Sequence, residues 1–139
     1  MYTSKIFVTV DVVLIKETSP KQILLIKRKN DPFQNCWALP GGFVDENEDL
    51  VVAAKRELEE ETQIKVSNLE QLKAYGKPFR DPRNHVVSIA YFGIANESTE
   101  AKASDDAEDC NWFEINDLPN LAFDHLDIVK DAIQKHNLL

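Results

Sequence analysis

Glu57, Glu60 and Glu61 crowd one end of a short amphipathic segment, within the run Arg56-Glu57-Leu58-Glu59-Glu60-Glu61. At 3.6 residues per turn, Leu50, Val51, Ala53, Ala54 and Leu58 form one inward-facing stripe. Glu57 and Glu61, spaced i and i+4, fall on that stripe where apolar side chains belong, with Glu60 at its edge. Glu48, Lys55 and Glu59 are expected on the opposite, solvated side. Acids gathered towards a helix C-terminus repel one another and oppose the macrodipole, each effect costing roughly 0.3–1 kcal/mol. Something positive must offset that. A hard divalent cation fits best, because Mg2+ takes carboxylate oxygens and keeps coordination positions for water or substrate phosphates.

Glu runs are commonly plain solvated helix faces, but the neighbours here point elsewhere. Gly41-Gly42 precede the helix after a tight turn at Pro40, and Arg56 supplies a guanidinium among the acids. The stretch Gly42-x5-Glu48-x7-Arg56-Glu57-Leu58-x-Glu60-Glu61-x-Gln63-Ile64 closely resembles the signature of the Nudix hydrolases, GX5EX7REUXEEXGU with U aliphatic. The resemblance implies a Nudix fold and hydrolysis of a diphosphate bond with Mg2+ (or Mn2+). Glu57, Glu60, Glu61 and the backbone carbonyl of Gly41 would hold the ions, and Arg56 with Glu48 would form the ion pair that aims the carboxylates. Glu48 also suits a plain helix-start anion. Gln63 departs from the signature, which has glycine there. Just past a helix end a left-handed conformation costs a non-glycine residue roughly 1–2 kcal/mol, so the change bears on local stability rather than on chemistry. The general base stays open among Glu60 and, in the loop before Trp112, Asp105, Asp106 and Glu108.

Further segments extend the resemblance to the ADP-ribose pyrophosphatase branch of that superfamily: Trp37-Ala38-Leu39-Pro40-Gly41-Gly42-Phe43-Val44, Arg80-Asp81-Pro82-Arg83, Val87-Ser88-Ile89-Ala90-Tyr91-Phe92 and Leu121-Ala122-Phe123-Asp124-His125. The implied reaction converts ADP-ribose and water to AMP and ribose 5-phosphate. Arg28, Arg80 and Arg83 are candidate phosphate or ribose contacts, because guanidinium forks bind phosphate bidentately. Phe33 and Phe123 are candidate stacking partners for adenine, and His125 is either a substrate contact or a structural residue. The runner-up substrates are another nucleoside diphosphate derivative or a nucleoside triphosphate. The same segments resemble the Nudix domain of transcriptional regulators that sense ADP-ribose and carry a C-terminal winged helix. With the sequence ending at Leu139, no such DNA-binding domain is expected, which leaves a non-catalytic ligand-binding module as the non-enzyme alternative.

A length of 139 residues predicts one domain over 1–139. Lys+Arg 16 against Asp+Glu 24 gives a formal charge of -8, which disfavours nucleic-acid polymers but not a small nucleotide reached through a bound cation. Cys36 and Cys110 have no metal-type partners at ligand spacing and are expected as free thiols in a reducing compartment. The N-terminal apolar run is too short and polar for a signal peptide or membrane span, so the expected location is the cytoplasm, with a homodimer open. The elements that must position the site are strands at Ile6–Ile15 (the first central), Ile23–Lys27, Leu69–Tyr75, Val86–Ala95 and around Trp112-Phe113. The acidic helix should run from Leu50 to Thr62 with Asp49 as N-cap. A closing helix from Asp124 to His136 should bury Leu126, Val129, Ala132 and Ile133. A helix inserted among strands and another at the end predict an α/β fold, an α/β/α sandwich with a mixed sheet.

Overall fold

The computed structural model describes residues 3–104 and 107–139. The chain forms β1 (Ile6–Lys16), β2 (Gln22–Arg28), β3 (Trp37–Ala38), β4 (Gly41–Phe43), α1 (Leu50–Thr62), β5 (Glu70–Tyr75), β6 (His85–Ala95), β7 (Ala107–Glu114) and α2 (His125–His136). The sheet path is β3-β2-β1-β6-β5, with β4 paired to β1 and β7 to β2. β1 and β6 run parallel from Ile6↔His85 to Lys16↔Ala95, whereas the other pairings are antiparallel. The sheet is therefore mixed, and the first strand is central, as its apolar run predicts.

From Thr9 onwards β1 is buried on both faces, which is why its sequence reads as a nearly continuous β-branched run rather than an alternation. Its even residues Val10, Val12 and Leu14 pack with Ala53, Ala54 and Leu58 of α1. Its odd residues Val13 and Ile15 pack with Ile128, Val129 and Ala132 of α2. The period-2 alternation of side chains thus puts one helix on each face and makes the α/β/α sandwich.

Several local expectations are corrected. Pro40-Gly41-Gly42 is not a simple turn, because Gly41 and Gly42 lie in β4, with Asp11↔Gly41 and Val10↔Gly42 in register. Neither glycine has a positive φ. Each is required by close approach instead: a Cβ on Gly41 would lie 2.1 Å from the Val10 carbonyl oxygen, and one on Gly42 would lie 2.5 Å from the Glu57 carboxylate. The strand near Trp112 spans the eight residues of β7 because β2 offers a partner along its whole length. Leu126 is 43% exposed, since the buried stripe of α2 is His125, Ile128, Val129 and Ala132 and Leu126 sits about a quarter-turn away. Asp49 occupies the N-cap position of α1, but its carboxylate caps no helix amide. Glu48 does not face solvent, because Arg56 draws its carboxylate inward.

At the other end of α1, Gln63 adopts φ 62, ψ 18, and its N–H donates to the Glu59 carbonyl. The left-handed residue expected at this position is therefore present without glycine. Gln63→Gly should leave the melting temperature unchanged or raise it, by up to about 1 kcal/mol of stability, with kcat unaltered. Thermal denaturation alongside a rate assay checks this.

Candidate active site

α1 turns Glu57 and Glu61 to the same side, into a cleft of about 420 Å3 that Thr9, Asp11, Gly41, Gly42, Arg28, Arg83 and Phe123 also line. The Gly41 N–H donates to Glu61 Oε1 at 2.8 Å, tying β4 to the helix. Gly42 lies flat against the Glu57 carboxylate. Glu60, expected with these two, is 45% exposed on the outer flank of α1 beside Arg56, Glu59 and Ser104. Glu60 lies about 100° round the helix from Glu61, on the far side of Glu57, so Glu57 and Glu61 are the helix acids that the cleft brings together.

Arg56 is the hub of the acids. Its Nε and Nη2 form a fork on Glu48, at 2.6 and 2.9 Å, and Nη1 donates to Glu57 Oε1 at 2.8 Å and Glu60 Oε2 at 3.2 Å. Nη2 also reaches the Phe43 carbonyl at 3.1 Å, which fastens the end of β4 to the same guanidinium. The ion pair anticipated between Arg56 and Glu48 is therefore present, and it carries two further carboxylates. The Arg56 hydrogen bonds hold the Glu48 carboxyl down to about 2, while burial pushes Glu57 above its usual value despite the same arginine. A desolvated carboxylate with an elevated pKa, packed beside a second buried acid, is a donor set whose charge a hard cation would relieve. Among the described residues no three His, Cys, Asp or Glu side chains converge on one point as ligands.

The facing wall is basic and aromatic. Phe123 lies under the guanidinium of Arg28 at 5.1 Å and of Arg83 at 5.6 Å, and Arg83 also sits 5.1 Å over Phe43. Arg83 Nε and Nη2 donate to buried Asp81 at 3.0 and 2.7 Å. Arg80 is 5% exposed and forks onto Asp124 at 2.8 and 2.6 Å, so its donors face protein at the cleft wall. Phe33 is not among the cleft-lining residues and packs against Phe123 at 4.7 Å. His125 reaches the cleft, but both ring nitrogens face protein: Nδ1 accepts the Leu39 N–H at 3.0 Å, and Nε2 lies 3.4 Å from Asp11 Oδ1. Burial lowers its pKa, which favours the neutral ring.

Of the candidate bases, Glu108 is exposed on β7, and Asp105 and Asp106 lie outside the described residues. The loop before them is strapped to the end of α1, where Lys102 N–H donates to the Thr62 carbonyl and Ser104 N–H to the Glu61 carbonyl, at 2.9 and 3.1 Å. Sequence reasoning missed Asp11, Asp81 and Asp124, which hold site residues from behind. Asp11 was the findable one, since a carboxylate in the middle of a central β-branched strand must be explained by a partner.

With this geometry in place, comparison with known proteins assigns the class. A model of the NUDIX domain matches residues 5–132. The chain belongs to the Nudix family and is a Nudix hydrolase with the Nudix fold. It is 47% identical over 132 residues to an ADP-ribose pyrophosphatase of Methanocaldococcus jannaschii, covering 94% of this chain and 75% of that protein. It is 37% identical to an ADPR responsive transcriptional repressor, NtrR, of Acinetobacter baylyi, covering 93% of this chain and 54% of the repressor, so it spans about half the length of that relative. The NUDIX domain of Shewanella oneidensis NrtR in complex with ADP ribose superposes with a TM-score of 0.90 at 31% identity, over 96% of this chain and 90% of that one.

The opposite pKa directions of Glu48 and Glu57 predict opposite linkage in metal-stripped protein. Glu48, held near 2 against 4.5 when free, contributes stability that is present above pH 4.5 and lost as pH falls from 4.5 towards 2. Glu57, raised above 4.5, disfavours folding once the pH exceeds 4.5. At neutral pH, Glu48→Gln should therefore lower the melting temperature and Glu57→Gln should raise it. The Glu57→Gln gain should vanish below pH 4.5, as the carboxylate protonates in both states. Thermal melts in EDTA across pH check both signs.

Proposed function

We propose that the protein hydrolyses ADP-ribose to AMP and ribose 5-phosphate, with Mg2+ or Mn2+ held by Glu57, Glu61 and the Gly41 carbonyl, and with Glu60 nearby on the same helix. The observation that carries this reading is the division of one cleft between an acidic helix edge, Glu57 and Glu61, and a guanidinium-aromatic wall, Arg28, Arg83 and Phe123. A diphosphate needs charge neutralisation at the bridging bond, and the nucleoside needs an aromatic surface. The M. jannaschii relative carries the same activity in its name.

In the reaction a water oxygen bonds to one phosphorus, the bridging P–O bond breaks, and the proton of the water passes to a carboxylate. The bound ion supplies charge neutralisation on the phosphoryl oxygens and lowers the pKa of the water. The chain's own residues do the rest. Arg56 holds Glu57 by one oxygen and leaves the other directed away from it, and the Gly41 amide orients Glu61. Arg83 uses Nε and Nη2 on Asp81, so its Nη1, without a partner among the described residues, is the donor offered to a phosphate. Arg28 lies across Phe123 from the same region and is the second phosphate contact in this reading. Phe123 supplies the stacking face, with Phe33 buttressing it. Arg80 and His125, expected as direct contacts, act through Asp124 and Asp11. Proton transfer falls to Glu60 or to one of Asp105, Asp106 and Glu108.

The partner is thus a small nucleotide rather than a nucleic-acid polymer, and two free thiols suit a reducing cytoplasm. No helix among the described residues is long and apolar enough to cross a membrane.

A panel of ADP-ribose, NADH, diadenosine polyphosphates, sugar nucleotides and nucleoside triphosphates, with products identified, tests the assignment. ADP-ribose should give the highest kcat/KM and yield AMP, and EDTA should abolish turnover. Preference for a triphosphate with release of pyrophosphate would overturn the substrate, and tight ADP-ribose binding without turnover would overturn the enzyme. Glu61→Gln should lower kcat by orders of magnitude, while Glu59→Gln, on the exposed side, should be nearly silent. Arg83→Ala should raise KM for ADP-ribose roughly 10–100-fold, the equivalent of one charge-assisted hydrogen bond.

A further inference from the structure

On the α2 face of the sheet, a buried polar chain runs from β6 through β1 to α2, beside the Arg80–Asp124 pair. The Ser88 hydroxyl donates to Asp11 Oδ2, Asp11 Oδ1 faces His125 Nε2 at 3.4 Å, and His125 Nδ1 accepts the Leu39 N–H at 3.0 Å. All three side chains are buried: Ser88, Asp11 and His125 have 0%, 7% and 4% exposure. Because Nδ1 is an acceptor, the neutral imidazole carries its proton on Nε2, the nitrogen 3.4 Å from the Asp11 carboxylate.

The chain ends on the arm that the metal site depends on. Leu39, Pro40 and Gly41 are each pinned by a different element: Leu39 N–H by His125, the Pro40 carbonyl by Val12 N–H at 2.8 Å, and Gly41 N–H by Glu61 Oε1 at 2.8 Å. Asp11 Oδ1 lies 2.5 Å from where a Gly41 Cβ would be, so carboxylate and glycine backbone are in contact. A valine or leucine at position 11 would continue the apolar strand and avoid burying a charge. What the carboxylate does that an apolar side chain could not is hold His125 in the tautomer and orientation that grips Leu39.

We propose that Asp11 and His125 are positioning residues for the metal site, clamping the Leu39–Gly41 arm so that the Gly41 amide stays aimed at Glu61. The proposal rests on the reading that Glu61 and Gly41 hold the ion, and it gives Asp11 and His125 a role exerted through the Leu39–Gly41 arm. Partners one shell out from a metal ligand typically change affinity or activity 10–100-fold when removed.

The test compares His125→Phe, which keeps the ring but loses both contacts, with His125→Asn, whose amide oxygen can replace Nδ1 towards Leu39. Asp11→Asn, which keeps the shape without the charge, is a third variant in case the first fails to fold. Three quantities are measured on the whole chain: Mn2+ affinity by electron paramagnetic resonance without substrate, kcat and KM for ADP-ribose, and hydrogen exchange of the Gly41 amide by NMR. His125→Phe should weaken Mn2+ binding and lower kcat at least tenfold, with KM changed less than threefold, and should speed Gly41 exchange. His125→Asn should recover most of each. A folded His125→Phe or Asp11→Asn protein with unchanged Mn2+ affinity, kcat and Gly41 exchange would overturn the proposal. Failure of the wild type to bind Mn2+ or hydrolyse ADP-ribose would overturn the functional reading instead. Gly41 exchange, which needs neither metal nor substrate, would still decide whether the clamp exists.

Discussion

The structure depends on how closely the backbone at Gly41-Gly42 approaches the two elements on either side of it. β4 lies between the central strand and the acidic helix with no room for a side chain: a Cβ on Gly41 would strike Val10 and Asp11, and one on Gly42 would strike Glu57. That contact brings a main-chain amide to Glu61 and the end of β4 to Arg56. It also sets where the cleft floor lies. A side chain at Gly41 would strike the β1 backbone and push β4 off its register, and one at Gly42 would displace the Glu57 carboxylate from its place against β4. The glycines serve proximity rather than unusual dihedrals, since neither has a positive φ.

Electrostatics then makes the site both costly and useful. A chain of formal charge -8 concentrates Glu48, Glu57 and Glu60 around one guanidinium. Glu48 takes most of the benefit, because it receives the bidentate fork together with the Asp45 amide. Glu57 receives a single hydrogen bond and is desolvated by the packing of Gly42, so its charge is left under-compensated. An under-compensated, partly buried carboxylate weakens the fold unless further positive charge relieves it. Arg56 therefore aims the acids without neutralising all of them.

The opposite wall is built by another logic, in which each arginine is fixed from behind before it meets the cleft. Asp81 holds Arg83 and Asp124 holds Arg80, and the flat face of Phe123 supports both Arg83 and Arg28. A guanidinium already fixed by a carboxylate and an aromatic face loses less side-chain entropy when a phosphate arrives. The same pairing takes Arg80 out of direct contact and turns it into a brace between the β5–β6 connection and the start of α2.

Much of this was legible in the residues themselves. The bounds of α1 and the central place of β1 follow from local spacing, where helical or strand periodicity maps position onto direction. The Arg56–Glu48 pair and the left-handed position of Gln63 follow instead from the resemblance to the Nudix signature, since periodicity alone puts Glu48 on the solvated side. The same periodicity applied to α2 misplaced Leu126, because a phase error of one residue rotates a helix face by about a quarter-turn. What local spacing could not reveal was pairing between distant segments. That Asp11 meets His125 and Ser88, that Arg80 belongs to Asp124, and that Glu60 turns outward while Glu61 turns in are set by the sheet order β3-β2-β1-β6-β5 and by which face each helix covers. The sequence by itself determined the chemical inventory and its local geometry, because those depend on residues a few positions apart. Tertiary structure alone decided which of the charged groups face the cleft and which brace it, because burial and ion pairing depend on neighbours the chain brings together from up to 114 positions apart, the separation of Asp11 and His125 (125 − 11).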